Sequence, residues 1–191
     1  MSADPGHPGH LPPPGVTIRT ERPEDVDAIS GVHLAAFPRE AVDRLVALLR
    51  ASPEWVPELS LVALAGGQVV GHVAVSMATL RDGDRDRPIA NLSPLGVLPH
   101  ARRHGIGSAL VDEVVARTYQ RGEPLVVVEG DPAFYGRLGF EYSVPHGIHI
   151  TLPSWARPEC AQVRLLRDTE PPLRGQVIYP TAFDVVEGSA R

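Results

Sequence analysis

The chain of 191 residues contains no lysine and a single cysteine, and only 5% of its residues are aromatic. The missing lysine excludes a Walker A phosphate loop, whose G-x-x-x-x-G-K-[ST] pattern requires that side chain. The lone cysteine, Cys160, excludes an internal disulfide and a metal site built from several cysteines. We expect Cys160 to be a small, half-buried residue beside a strand, as suits a chain in a reducing cytoplasm.

Long apolar runs and excess positive charge are missing as well. No stretch approaches the roughly 20 apolar residues of a membrane span, and the N-terminus lacks the apolar core of a signal peptide. The formal net charge is −5 and the pI is about 5.9, so a nucleic-acid-binding surface is not expected as the main function. With 43% hydrophobic and 21% charged residues, the composition is that of an ordinary soluble globular protein. Together with the single cysteine and the lack of long apolar runs, it leads us to expect a cytoplasmic protein without a membrane partner.

The two ends of the chain differ from its middle. Residues 1–15 are nearly all Pro, Gly, His and small polar residues, which predicts a disordered tail. His7 and His10 in this tail are expected to be solvated rather than to bind a metal, because no rigid partner ligand accompanies them. We expect one domain over residues 16–166 and a C-terminal extension over residues 167–191.

In the first half of the domain the spacing of apolar residues predicts a strand, then two helices, and then strands again. "VTIRT" predicts a strand, and "RPEDVDAISGVHLAAF" and "REAVDRLVALLRAS" predict two helices. Two strands joined at Gly66 and Gly67 follow as a hairpin. "RDGDRDRP" is predicted to be a polar loop. "IANLSPLGVLP" is predicted to be a strand in which Pro94 requires an edge or a bulge.

The second half alternates between helices and strands. A helix is predicted from about Gly105 to Arg121, followed by "PLVVVEG", an apolar strand of the kind buried on both faces. "DPAFYGRLG" predicts a short helix with Asp131 as its N-cap. "FEYSV", "GIHITL" and "AQVRLL" are candidate late strands. The coarse order is β-α-α-β-β-β-α-β-α-β-β, an α/β fold with a mixed sheet.

Residues 99–110, "PHARRHGIGSAL", are predicted to form a strand-to-helix turn that can hold an anion. The first turn of a helix has N–H groups without internal partners, and the helix dipole adds about half a positive charge. Gly105 and Gly107 would let a phosphate approach, and Arg102, Arg103 and His104 would add charge. Many such turns hold no ligand, so the segment alone leaves binding open. A dinucleotide turn fits less well, because G-x-G-x-x-G is not matched.

These residues resemble a known family. "LGVLPHARRHGIGSAL" resembles the acyl-CoA-binding segment of the GNAT superfamily of N-acetyltransferases, whose [QR]-x-x-G-x-[GA] pattern is matched by Arg102, Gly105 and Gly107. "FYGRLGF" resembles the Y-x-x-x-G-F helix of that superfamily, with its tyrosine at Tyr135. The order of elements from Val16 to about Leu166 also matches. "VIYPTAF" adds a resemblance to a bacterial subgroup with a C-terminal extension.

The resemblance implies a fold and a ligand. The fold is a mixed, mostly antiparallel sheet flanked by helices, in which a central pair of strands splays to bind acyl-CoA. The pyrophosphate of coenzyme A would rest on N–H groups of the turn, which belong here to Arg103, His104, Gly105, Ile106, Gly107 and Ser108. The pantetheine arm would lie against the backbone of Leu95, Gly96 and Val97. Acetyl-CoA would be the co-substrate, and no metal is expected.

The resemblance also implies that Tyr135 is the general acid, because a free tyrosine carries its proton at pH 7 and could pass it to the leaving thiolate. The alternative is that Tyr135 is only a packed aromatic residue. The general base is left open. Glu129 and Asp131 lie in the expected neighbourhood, although one could be a solvated strand end and the other a helix cap. His33 and His72 titrate near neutrality but could equally be structural, and a chain of waters could serve instead.

The implied function is direct transfer of an acetyl group to a primary amine of a small molecule or a protein. A non-catalytic acyl-CoA-binding regulator on the same fold is the alternative. Members of the superfamily often carry a glutamate on the fourth strand, where this chain has Asn91. The acceptor cleft is expected near Phe37 and Trp155. The identity of the acceptor and a homodimer are both left open.

Overall fold

A computed structural model describes residues 9–37 and 41–184 of the chain. As far as Tyr135 the helices and strands in this part follow the predicted order, and four short strands come after it where the predicted order has two. The helices and strands are β1 (Val16–Thr20), α1 (Val26–Ala36), α2 (Ala41–Arg50), β2 (Trp55–Ala65), β3 (Gln68–Asp82), β4 (Arg85–Val97), α3 (Ile106–Arg121), β5 (Leu125–Glu129), α4 (Pro132–Tyr135), β6 (Glu141–Tyr142), β7 (Ile148–His149), β8 (Ala161–Leu165) and β9 (Gly175–Ile178).

These strands form one mixed sheet. Its main order is β1-β2-β3-β4-β5-β8-β6, while β9 pairs with the distal end of β3 and with β7. The pairs β4/β5 and β7/β9 are parallel and the others are antiparallel. The predicted fold class is therefore confirmed. Within the described residues, no helix combines the length and the apolar character that crossing a bilayer would require.

The two faces of the sheet are covered by different helices. A methyl group built on Gly71 of β3 would lie 3.0 Å from Leu110 of α3, so that position faces α3. A methyl group built on Gly96 of β4 would lie 3.2 Å from Val32 of α1, so Gly96 faces α1. Because successive strand residues alternate in direction, His72, the cross-strand partner of Gly96, also faces α1. We call these the α3 face and the α1 face.

The hairpin between β3 and β4 is longer than the sequence predicted. The predicted polar loop "RDGDRDRP" belongs mostly to the two strands, which are connected by a two-residue turn that contains Gly83 with φ 58°. The guanidinium of Arg81 lies 2.7 Å from the carboxylate of its cross-strand partner Asp86. The loop prediction is wrong because pairing opposite charges across the strands lets a polar sequence continue the hairpin.

The bulge predicted at Pro94 is present in β4. Leu92 pairs with Val75 and Leu95 pairs with Val73, so the residues between them, Ser93 and Pro94, oppose a single residue of β3. A bulge bends its strand and leaves backbone groups without ladder partners. The bulge at Ser93 and Pro94 therefore lies where β4 begins to separate from its other neighbour, β5.

The described part of the predicted tail, residues 9–15, lies along α3. The backbone N–H of His10 donates to the carboxylate of Asp112 at 2.7 Å, and the ring Nδ1 lies at the same distance. Composition could not reveal this distant carboxylate partner. Residues 1–8, including His7, lie outside the described residues. Although β9 comes from the segment assigned to a C-terminal extension, the division into tail, domain and extension stays a prediction.

Candidate active site

The turn before α3 has an unusual backbone. Gly105 caps the helix with φ 82°, and Arg103 has φ 64°, so the two residues on either side of His104 lie in the left-handed region. A left-handed conformation is easy for glycine but costs a residue such as arginine about 1–3 kcal/mol. Turns in which left-handed residues alternate with other conformations can direct successive N–H groups into one concave surface. The anion site expected at this turn stays a prediction.

Arg102 ties this turn to the rest of the fold. Its Nε donates to the carbonyl oxygen of Val97 at 3.1 Å, and its Nη2 donates to that of Ala36 at 3.1 Å. Ala36 is the last residue of α1, so the guanidinium joins the ends of α1 and β4. The sequence predicted only a charge for Arg102. The structure adds a positioning contact for Arg102, which is exposed at the surface like the neighbouring Arg103 and His104.

The beginning of α3 approaches α4 closely at Gly107. A methyl group built on Gly107 would lie 3.5 Å from Phe134 and 3.8 Å from Val97, in ordinary van der Waals contact. Ile106 is buried beneath the turn and Ser108 is half-buried. Gly107 therefore brings the turn, the end of β4 and α4 together, which is the grouping that the sequence predicted for the acyl-CoA site.

Strands β4 and β5 separate next to this turn. In the described part of the chain they pair only at Ala90 with Val126 and at Asn91 with Val127. Leu95, Gly96 and Val97 lie beyond these pairs, and on their other side they pair with β3. The edge of this segment that faces β5 is thus outside the β4/β5 ladder. The splayed pair of strands expected from the sequence is present.

Tyr135 lies in a buried aromatic group at the end of α4. Its side chain is 7% exposed, and its ring makes edge contacts with Phe134 and Phe140 at centroid distances of 4.9 and 5.4 Å. Burial raises the pKa of Tyr135 above its ordinary value of 10.0, because the phenolate would lose its hydration. The hydroxyl consequently keeps its proton at neutral pH.

The two acidic candidates for the base have different surroundings. The carboxylate of Asp131 accepts a hydrogen bond from the N–H of Ala133 at 2.9 Å and caps α4, as the sequence predicted. Glu129 ends β5 with an exposed side chain. Strand alternation places it on the same face as Val127, opposite to the α3 face. The structure therefore gives Asp131 a capping contact and places Glu129 at the opening between β4 and β5.

Gly130 sets the position of the Tyr135 ring. A methyl group built on Gly130 would overlap this ring, whereas one built on Gly136 would meet nothing within 4 Å. Gly130→Ala should therefore displace Tyr135 and lower the rate of the acetyl transfer expected from the sequence by at least about tenfold, because it would misplace the expected general acid. Steady-state rates measured beside the matched control Gly136→Ala check this prediction. Equal rates for the two variants would contradict it.

A buried polar chain on the α1 face was not predicted from the sequence as a unit. Nε2 of His33 lies 2.8 Å from Nδ1 of His72, and Nε2 of His72 lies 2.9 Å from Oγ of Ser60 and 3.3 Å from Oε2 of Glu21. The Ser60 hydroxyl donates to the same carboxylate oxygen. Nε of Arg50 donates to Oε1 of Glu21 at 2.8 Å. No sequence motif joins these residues, because strand register and helix packing bring them together.

Three side chains of this buried polar chain, Glu21, His33 and His72, have shifted pKa values. Burial by itself would raise the pKa of Glu21, but hydrogen bonds from His72, Arg50 and Ser60 outweigh it and lower the pKa from 4.5 to about 2. Burial, reinforced by the nearby His72 and Arg50, lowers the pKa of His33 from 6.5 to about 3. Burial also lowers the pKa of His72. Near neutral pH the carboxylate is charged and both imidazoles are neutral.

Comparison with known proteins identifies relatives over most of the chain. The family model of the acetyltransferase (GNAT) domain matches residues 17–143. The uncharacterized N-acetyltransferase YhbS of Escherichia coli strain K12 is 34% identical over 137 residues, which is 71% of this chain and 80% of YhbS.

Two solved structures are similar to the whole fold. The crystal structure of E. coli YhbS in complex with CoA has a TM-score of 0.80 and 30% identity, covering 93% of this chain and 96% of that one. A GNAT family acetyltransferase from Brucella melitensis in complex with acetyl-CoA has a TM-score of 0.72 and 31% identity, covering 88% and 98%. The family match, these relatives and the splayed strands beside the α3 turn all agree. The chain therefore belongs to the GNAT family of N-acetyltransferases.

Proposed function

We propose that this protein transfers the acetyl group of acetyl-CoA directly to a primary amine of a small molecule or a protein. The observation that carries the proposal is the separation of β4 from β5 next to the α3 turn. The ring of Tyr135 lies against Gly130, which directly follows β5, and the preceding Phe134 packs near Gly107 of the turn. The turn offers N–H groups to an anion, the separated strand offers a backbone edge to an extended chain, and Tyr135 offers a proton.

Acetyl-CoA is the proposed donor because its parts match these features. The pyrophosphate would lie on the N–H groups of residues 103–108, with the helix dipole behind them. The pantetheine arm would lie along residues 95–97, beyond the last pair with β5. The E. coli relative contains CoA and the Brucella relative contains acetyl-CoA, which supports this assignment.

The transfer requires that an amine attack the thioester and that the leaving thiolate receive a proton. The neutral amine attacks the thioester carbonyl carbon, and a backbone N–H of residues 95–97 stabilises the resulting oxyanion. As the C–S bond breaks, the electron pair moves to sulfur and Tyr135 donates a proton to it. In forming the amide, the nitrogen passes one proton to the general base. That proton returns to the Tyr135 phenolate through water, so no net proton is gained or lost. Holding amine and thioester side by side removes much of the entropic barrier.

The acceptor is proposed to bind on the α1 face. Oγ of Ser76 and Nδ2 of Asn91, which are cross-strand partners there, are buried without a hydrogen-bond partner among the described residues. Buried polar groups are normally hydrogen-bonded, so this pair suits a polar ligand or water. Glu129 lies on the same face at the exposed end of β5 and is our preferred base. The carboxylate of Asp131 already caps α4.

A panel of primary amines incubated with acetyl-CoA tests the proposal. The panel should contain alkyl amines, aryl amines, amino acid amides and peptides with an unblocked N-terminus. Enzyme-dependent thiol release, with an acetylated product identified by mass, is the expected result for at least one class. Binding of coenzyme A without turnover of any amine would instead favour the non-catalytic acyl-CoA-binding regulator.

A further inference from the structure

The imidazole of His33 bridges β3 and β4 on the α1 face. Its Nε2 meets Nδ1 of His72 on β3 at 2.8 Å. Its Nδ1 lies on the β4 side, 3.0 Å from the position that a methyl group on Gly96 would occupy. His72 and Gly96 are cross-strand partners, so the ring lies across one rung of the ladder. The Nδ1–Cε1 edge of the ring therefore lies over Gly96 of β4, the strand that separates from β5.

The hydrogens of the polar chain can be placed from its carboxylate end. Glu21 is ionised and can only accept hydrogen bonds. The single hydrogen of the Ser60 hydroxyl is used in the bond to Glu21. Nε2 of His72 is close to Oγ of Ser60 and Oε2 of Glu21, both of which act as acceptors, so this nitrogen must carry the hydrogen.

The same reasoning continues to His33. Because His72 is neutral and carries its hydrogen on Nε2, its Nδ1 is an acceptor. Nε2 of His33 must then donate to it, which leaves Nδ1 of His33 with an unprotonated lone pair. The His33 side chain is 0% exposed, and this Nδ1 has no hydrogen-bond partner among the described residues. Leaving a buried acceptor unpaired is costly, so the site is suited to a ligand that brings a donor.

We propose that Nδ1 of His33 accepts a hydrogen bond from the amino group of the acceptor and so directs the nitrogen lone pair to the thioester. This inference rests on the proposed function, which puts the thioester next to Gly96 and the amine on the α1 face. His72 and Glu21 act as positioning residues that fix the His33 tautomer, as the aspartate of a catalytic triad does for its histidine. His33 holds the amine without deprotonating it, since its lowered pKa makes it a weak base.

Two synthetic probes test the contact without knowledge of the natural acceptor. In one, the sulfur of coenzyme A carries a CH2–C(O)–NH–propyl group, which places an N–H where the attacking nitrogen would be. In the other, the NH is replaced by an ester oxygen, which cannot donate. The protein should bind the amide probe about fivefold to tenfold more tightly than the ester probe by calorimetry, the effect of one hydrogen bond to a buried acceptor.

Two variants separate the contact from a structural role. His33→Phe should abolish the preference for the amide probe while leaving the affinity for coenzyme A within about threefold, so that the probes and the variant form a thermodynamic cycle. Glu21→Gln, whose amide can donate to Nε2 of His72, should also reduce the preference without touching His33. Nitrogen-15 NMR should find Nδ1 of His33 unprotonated in the parent protein and protonated in Glu21→Gln.

The outcomes distinguish this inference from the proposed function. If coenzyme A binds but the parent protein has equal affinity for the two probes, the His33 contact is refuted and a buried water is the better partner for Nδ1. A protonated Nδ1 in the parent protein would refute it as well. If coenzyme A itself does not bind, the proposed function fails and the inference fails with it. Should His33→Phe not fold, the parent protein and Glu21→Gln still decide.

Discussion

Arg102→Glu combined with Gly105→Asp is expected to weaken the binding of coenzyme A by at least about 100-fold, or about 3 kcal/mol. The double variant puts two carboxylates at a turn that is proposed to hold a pyrophosphate, so it replaces attraction by repulsion. It also removes the hydrogen bonds from Arg102 to the carbonyl groups of Val97 and Ala36 that hold the turn in place. Calorimetric titration with coenzyme A measures the change.

The chain offers matched controls for this double variant. Arg85→Glu with Gly83→Asp makes the same substitutions in the β3–β4 turn, where Gly83 also has a positive φ of 58°. Gly105→Asn keeps the size of the new side chain without its charge, and asparagine tolerates the left-handed region better than most residues. Both controls should bind coenzyme A far more tightly than the double variant. If a folded double variant binds as well as the parent protein, the turn is not the anion site.

Tyr135→Phe is expected to lower turnover by about 100-fold or more, within the range typical of removing a general acid. The leaving thiolate would lose its proton donor, whereas the turn and the separated strands that hold coenzyme A would stay intact. The aromatic contacts with Phe134 and Phe140 require only the ring, so the fold should also be retained. Steady-state kinetics with an accepted amine, together with calorimetry for coenzyme A, measure both effects.

Tyr142→Phe removes a hydroxyl from a tyrosine on β6, which β8 separates from β5, and serves as the control. It should keep the parent's turnover. If Tyr135→Phe also turned over at the parent rate, Tyr135 would be a packed aromatic residue and a different group or water would protonate the thiolate.

The elements around the turn were predictable because their sequence signals are local. Helix α3 begins after Gly105 and ends before Gly122, and both glycines have the left-handed conformation that such ends favour. The run "LVVV" is buried, as expected for a strand covered on both faces. The Asp131 cap and the Pro94 bulge each follow from the chemistry of one residue. Short-range rules therefore place the backbone of the site.

The polar chain could not be predicted because it depends on long-range register. Glu21 lies next to Ser60 because the pairing of β1 with β2 ends there. The backbone N–H of Glu21 donates a hydrogen bond to the backbone carbonyl of Ser60. His33 reaches His72 only after α1 has packed on β3. The residue types alone made both histidines candidate bases. In the structure both histidines belong to a buried polar chain that ends at the carboxylate of Glu21, in a different part of the sequence.

The hairpin extension and the position of residues 9–15 along α3 have a similar explanation. Each depends on a charged or polar partner that composition does not identify: Asp86 across from Arg81, and Asp112 of α3 beside His10. Polar segments that look solvated in sequence become ordered when such a partner is close. The same limit applies to the acceptor, since no local motif describes the α1 face.

Two-dimensional NMR of the nitrogen-15-labelled protein during titration with coenzyme A tests the central claim most directly. The claim is that the α3 turn holds the pyrophosphate of the acetyl donor. We predict that the amide signals of residues 103–108 move most and saturate together, with smaller shifts at residues 95–97. Saturable binding that leaves the turn amides unmoved and shifts a different surface would contradict the account.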